Sequence, residues 1–319
     1  MKPVGETRTQ RRERRITAWG LSFTYLIVVV GMQVVAALIA IFALISAAIA
    51  RHGQSILQDQ TFLTHTLMQR YLGMMGWILI ISDVAAVLIF LFIVKGRHES
   101  FRETVGLRRF RPLLVVALLM LGAGLSLLLN SGTQILSTLF PSITSSGNST
   151  LNAAFDQLFS SAPGIVSIIL IAPIAEEIAF RGMVFGVLRQ KLALPVALIV
   201  QAVIFGVFHG NIAQGLMAFG LGCLLAWVYL RSGSIICAML VHFAFNGTTV
   251  LITLVTNKTG SGPIWLWLLL MLAAAGLFVG GLLWQIGLTK RKSLPTAPPA
   301  STTSTTPASG DNAPSMLVS

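Results

Sequence analysis

Long apolar runs separated by short polar stretches dominate this chain. Eight can be marked, at about 20–49, 71–94, 113–130, 164–187, 193–209, 212–230, 233–256 and 264–288. Each is near the ~20 residues an α-helix needs to cross the hydrocarbon core of a bilayer. Unbroken runs of this kind specify helices rather than the alternating strands of a barrel. The expected fold is therefore all-α: a polytopic membrane helix bundle of about eight transmembrane helices. The first run is longer than a crossing requires, so it tilts or emerges as an exposed turn. It is also too long for the apolar region of a signal peptide.

The polar stretches divide the chain. Residues 1–19 are a basic N-terminus, and 20–130 hold three transmembrane helices. Residues 131–163, rich in Ser and Thr and free of Lys and Arg, read as an external polar loop with helical character around LNAAFDQLF. A block of four membrane segments fills 164–256, and a last helix falls within 257–288. The tail 289–319, with SLPTAPPASTTSTTPASG, is low-complexity and cannot bury enough apolar surface to fold. Asn148-Ser149-Thr150 matches a glycosylation sequon, but so does Asn246-Gly247-Thr248 inside a membrane run, so the match carries little weight.

Composition agrees with the pattern. Of 319 residues 55% are hydrophobic and 10% charged, against about a quarter charged in ordinary soluble domains. A soluble enzyme, a disordered tail protein and a coiled coil are excluded. The net charge of +12 becomes informative once placed. With the N-terminus inside, eighteen of the 22 Lys and Arg fall on cytoplasmic segments, and Arg51, Arg70 and Lys258 fall outside. Arg181 lies within the fourth run. This asymmetry predicts a multi-pass plasma-membrane protein with both termini cytoplasmic. RRERR at 11–15 and RRFR at 108–111 suit anionic lipid headgroups at that rim, and no nucleic-acid partner is needed. Cys223 and Cys237 sit in apolar runs with no metal or redox spacing, as small apolar fillers.

Inside a bilayer the informative residues are the ionisable ones, each costing about 2.5–3.5 kcal/mol at a helix centre. Five stand in the runs: Asp83, Glu176, Glu177, His209 and His242. In IAPIAEEIAFRGMVFGVL, Glu176 and Glu177 project about 100° apart on a helix and face different neighbours. Glu177 and Arg181 are four apart and can pair, which leaves Glu176 for chemistry. The competing reading of these three is a buried ion cluster that fixes packing. Phe205 and His209 share a face in VIFGVFHG, as do His242 and Asn246 in MLVHFAFNGT. Interfacial placement and interhelical hydrogen bonding are their bland alternatives. Together a Glu and two His suit either of two chemistries. One is a Glu base with His partners acting on water; the other is a His/His/Glu zinc shell on Glu176, His209 and His242. Asp83 lies outside these sets and either faces the cavity, caps a polar path or pairs with Arg181.

EEIAFR, FGVFH and HFAFN, in that order on successive membrane segments, resemble the EExxxR, FxxxH and HxxxN motifs of the CPBP intramembrane proteases. That group is named for CAAX prenyl proteases and bacteriocin-processing proteins and is also called Abi. The resemblance covers roughly 160–250, the catalytic core in that family, and leaves the remaining helices unassigned. It implies peptide-bond hydrolysis within the membrane, on a membrane-associated peptide or protein. Glu176 would be the general base on water, assisted by His209. His242 and Asn246 would position the water or stabilise the oxyanion, with Glu177, Arg181 and Phe205 as structural support. The family is commonly labelled metalloprotease, yet neither it nor this sequence has HExxH. Zinc is thus one option and a Glu/His-activated water the favoured one. The resemblance also admits a non-catalytic role in bacteriocin self-immunity or sensor scaffolding. A transporter is disfavoured, because the chain lacks the paired interrupted helices of an inverted repeat.

Overall fold

In the computed structural model, residues 8–96, 100–140, 149–210, 212–260 and 262–288 are described. The tail at 289–319 and the sequon residue Asn148 lie outside them. Among the described residues every regular element is helical, as a chain buried in lipid requires: the helix satisfies its own backbone hydrogen bonds. The elements are α1 (Arg8–His52), α2 (Met68–Gly96), α3 (Leu114–Leu139), α4 (Ser149–Ser160), α5 (Ala162–Lys191), α6 (Leu194–Phe208), α7 (Ile212–Ser232), α8 (Ile235–Thr259) and α9 (Ile264–Leu288).

Seven of these are long and apolar enough to cross a membrane, against the eight expected. The difference is α6. Its 15 residues rise about 22 Å, less than the ~30 Å of a hydrocarbon core. Gly210, at φ 65°, ends it in the left-handed conformation that glycine adopts at no cost. The external loop expected at 131–163 also needs correction. Helix α3 continues through its first nine residues to Leu139, and α4 occupies Ser149–Ser160. Thr133, Ser137 and Thr138 return their hydroxyls to their own helix, Thr133 to Leu129 O at 2.9 Å, so local polarity does not break the helix. At the other end of the chain, α1 starts at Arg8, which makes the basic stretch continuous with the first membrane helix.

Small residues set the approach of the helices that carry the site. A side chain on Gly122 of α3 would run into Val241 O and Ala244 of α8. One on Gly206 of α6 would meet Gly215 O of α7 at 2.6 Å. One on Gly281 of α9 would meet Ala117 O of α3 at 2.9 Å. Backbones packed this closely gain dispersion contacts, which must replace the hydrophobic drive that lipid removes.

Arg108, Arg111 and Arg231 collect at one end of the bundle. Arg111 donates to Leu288 O at 3.3 Å and Arg231 to Ile286 O at 3.5 Å, capping the last carbonyls of α9. Ser234 donates to Arg108 O at 2.6 Å. Helices α3 and α8 therefore both start at this basic rim and run parallel away from it, while α5 and α7 run toward it.

Gly122→Ala is expected to lower stability by about 1–3 kcal/mol through overpacking against α8. Gly186→Ala, which meets nothing within 4 Å, is expected to cause no loss. Thermal unfolding of the detergent-solubilised variants checks the pair.

Candidate active site

The site is built on α5, which is not a regular helix. Five-residue hydrogen-bond registers run over Ser167–Ile171 and Ile178–Val184, with an α-helical segment Ala172–Glu177 between them. Such π turns occur mostly as short insertions at functional positions. Pro173 supplies a local cause for the first, because it has no N–H to return to the preceding turn. Ile168 O, whose partner in that register would be Pro173, instead accepts from Asn246 Nδ2 of α8 at 2.8 Å. The first job of Asn246 is thus to satisfy a carbonyl that the break in α5 exposes.

The second irregular turn carries Arg181. Its side chain is wholly buried, as is that of Glu177, and Arg181 Nη1 donates to Glu177 Oε1 at 2.8 Å. Nη2 reaches Gly222 O of α7 at 3.4 Å, and the guanidinium lies 4.6 Å from the ring centroid of Phe205. A charge kept from water needs each of these contacts: a counter-ion, a carbonyl and an aromatic face. Gln201 of α6, also buried, donates to the same Gly222 O at 2.9 Å.

Glu177 has a second partner. Its Oε1 lies 2.9 Å from His242 Nδ1. Because Arg181 holds Glu177 as a carboxylate, an acceptor only, the hydrogen must sit on Nδ1. In neutral His242 that leaves the lone pair on Nε2, which lies 3.7 Å from Glu176 Oε2. The two glutamates thus divide as their angular separation predicts. Glu177 is fully buried in the ion pair, whereas the Glu176 side chain keeps 20% of its surface accessible. Glu176 has access to a reactant and Glu177 does not.

His209 is the residue that follows α6. Its Nδ1 is 2.9 Å from Phe205 O; a carbonyl only accepts, so here too the hydrogen is on Nδ1 and Nε2 carries the lone pair. The Phe205 ring touches both imidazoles edge-on, at centroid distances of 5.0 Å to His209 and 6.0 Å to His242.

The structure therefore gathers Glu176, Glu177, Arg181 and His242 into one set and joins Phe205 to it. His209 is linked to that set through Phe205, and Asn246 is tied to the backbone of α5. Among the described residues no three His, Cys, Asp or Glu side chains come together closely enough to hold a metal ion. The donor types of Glu176, His209 and His242 suit zinc, but their positions as they stand do not form its shell.

Several contributors escaped the motif reading. Gln201 is the only polar residue in LPVALIVQAVIFGVF, and Pro173 interrupts a helical run; both were visible signals. Phe180, packed on Phe205 at 4.8 Å and Phe208 at 5.4 Å, had no such signal. Asp83, buried in α2, accepts from Gln33 of α1 at 3.4 Å, while Arg181 is committed to Glu177.

Arg181→Ala leaves Glu177 buried without its counter-ion. A loss of about 3–5 kcal/mol is expected, read as a large drop in the unfolding temperature. Gln201→Leu, which removes only one of the two donors to Gly222 O, should cost far less in the same measurement.

A family match falls on these helices. Residues 158–248 match the family described as Type II CAAX prenyl endopeptidase Rce1-like. "Putative membrane peptidase YdiL" of Bacillus subtilis (strain 168) is 32% identical over 85 residues, which is 27% of this chain and 35% of that relative. The chain thus aligns with about a third of the length of the curated relative it matches. No solved structure matches it. The stretch matched by the family contains Glu176, Glu177, Arg181, Phe205, His209, His242 and Asn246, so over residues 158–248 this multi-pass helical chain is similar to the Rce1-like CAAX prenyl endopeptidases.

Proposed function

We propose that this protein is an intramembrane endopeptidase that hydrolyses a peptide bond of a membrane-associated peptide or protein. The observation that carries the proposal is the hydrogen bond from His242 Nδ1 to Glu177, which leaves Nε2 facing Glu176 Oε2 at 3.7 Å. At that separation both atoms can contact one water, about 2.8 Å from each. Glu176 takes a proton from this water as its oxygen attacks the scissile carbonyl carbon. The protonated Glu176 then returns that proton to the leaving amine as the tetrahedral intermediate collapses. Water is thereby split between the new carboxyl and the new amine, with Glu176 restored.

The neighbours have roles that follow from their hydrogen bonds. Glu177 fixes the tautomer and ring plane of His242, the task a buried carboxylate performs in a hydrolytic triad. The lone pair of His242 Nε2 takes the second hydrogen of the water, and His209, linked to the set through the Phe205 ring, assists Glu176. Asn246 Nδ2 gives one hydrogen to Ile168 O and has another for the oxyanion. No step is routed through a metal, because Glu176, His209 and His242 do not converge as ligands. The basic rim formed by Arg108, Arg111 and Arg231 is assigned to the cytoplasmic face of the plasma membrane, beside anionic headgroups, with both termini on that side.

Glu176→Gln is expected to reduce cleavage by at least about 10²-fold while the protein still inserts and unfolds at its usual temperature. The readout is the set of new protein N-termini in cells producing the wild type and absent from cells producing the variant. Identical sets in the two would remove the proposal, and a phenotype such as peptide immunity that survives loss of both Glu176 and His209 would assign it to binding.

Chelator treatment of the purified protein is expected to leave cleavage unchanged, and elemental mass spectrometry to find no stoichiometric zinc. One zinc per chain, lost in Glu176→Ala and His242→Ala, would instead establish the His/His/Glu shell.

A further inference from the structure

A hydrolase inside a bilayer must be supplied with water, and the parallel pair α3 and α8 carries a polar line that ends at the site. On α8, His242, Asn246, Thr249, Thr253 and Thr256 recur at alternating steps of four and three, a single face of the helix. On α3, Ser126, Asn130, Thr133 and Ser137 follow the same steps. The close approach at Gly122 fixes the register of the two helices, and the polar faces meet where it predicts. Ser126 Oγ and Thr249 Oγ1 are 2.9 Å apart, and Asn130 Nδ2 reaches Thr249 Oγ1 at 3.2 Å and Ser126 Oγ at 3.3 Å. Both helices run away from the basic rim, so the line climbs from His242 toward the opposite face of the layer.

Three features separate this line from a set of helix-packing hydrogen bonds. Asn130, Asn246, Thr249, Thr253 and Thr256 are only half-buried. Thr253 and Thr256 give their hydroxyl hydrogens to carbonyls of their own helix, at 3.0 Å to Thr249 O and 3.0 Å to Ile252 O, so their oxygens face outward as acceptors. At the inner end, Glu177 Oε2 is buried with no hydrogen-bond partner among the described residues. Buried acceptors of this kind are the usual seats of ordered water.

We propose that the α3–α8 seam is the route by which water reaches Glu176 and His242, with Ser126, Asn130 and Thr249 as the point where the two helices close on it. The purpose of the water rests on the hydrolase reading; the existence of the route does not.

Single cysteines introduced into a Cys223→Ala, Cys237→Ala background test it, with the protein in nanodiscs so that both faces meet a charged, membrane-impermeant thiol reagent. Thr253→Cys and Thr249→Cys are expected to react at least about tenfold faster than Leu251→Cys, since the reacting thiolate requires water. Leu251 lies on the same helix and is 61% exposed in the isolated chain, hence turned to lipid. Adding Asn130→Leu is expected to slow the reaction at Thr249→Cys and leave that at Thr256→Cys unchanged. Equal, slow reaction at positions 249, 251 and 253 would overturn the proposal, as would indifference of Thr249→Cys to Asn130→Leu. Variants enter the comparison only if they elute as single species and unfold at the parental temperature. Labelling is read without substrate, so a failed route and a failed protease give different results: the first leaves the effect of Glu176→Gln on cleavage intact, the second leaves the labelling pattern intact.

Discussion

The structure is organised around a guanidinium that cannot reach water. Arg181 is fully buried in a helix surrounded by apolar neighbours, and an arginine does not shed its proton to escape that position. Its charge must be met in place, by Glu177, Gly222 O and the face of Phe205. Each partner then constrains something else. Glu177, held as a carboxylate, can only accept from His242 Nδ1, which turns Nε2 toward Glu176. Phe205, held by the cation, offers its carbonyl to His209 Nδ1. The ion pair therefore sets the tautomer of His242, while His209 takes its own from a backbone carbonyl. The buried-cluster reading and the catalytic reading of EEIAFR describe different parts of one arrangement: Glu177 and Arg181 are the cluster, and Glu176 is what the cluster leaves exposed.

Irregular backbone places these groups. A straight helix through Pro173 would leave carbonyls unpaired inside the layer, where each costs several kcal/mol. The first π turn relocates that defect to Ile168 O, and Asn246 closes it. A motif asparagine is thereby bound to a motif helix through the backbone rather than through its glutamates. The early stop of α6 before His209 and Gly210 is a second irregularity: it leaves the imidazole at a helix end, with Nδ1 turned back to Phe205 O.

Much of this was legible in the sequence because lipid is an unforgiving solvent. Apolar runs announced the helices, and the cost of burying ionisable groups singled out Glu176, Glu177, His209 and His242 as the candidates. The i, i+4 spacing of Glu177 and Arg181 gave their ion pair directly. What was not legible depended on three-dimensional register. No spacing shows that His242 meets Glu177 across 65 residues, or that Asn246 turns to a carbonyl on α5. Helix length was misjudged at α6, where the apolar run 193–209 reads as a crossing although the helix within it has only 15 residues. It was misjudged again at 131–139, where Ser and Thr read as loop although their hydroxyls bond back to the helix. The polar seam between α3 and α8 was equally hidden, because threonines four and three apart are unremarkable until a partner helix shows the same period.

The central claim is that Glu177 fixes His242 with its hydrogen on Nδ1 and its lone pair on Nε2 beside Glu176. The most direct measurement is the ¹⁵N spectrum of histidine-labelled protein, with the His242 signals assigned by their loss in His242→Asn. A protonated Nδ1 and an unprotonated Nε2 are expected at neutral pH, with that preference lost in Glu177→Leu. An Nε2-protonated ring, or a spectrum unaltered by Glu177→Leu, would contradict it.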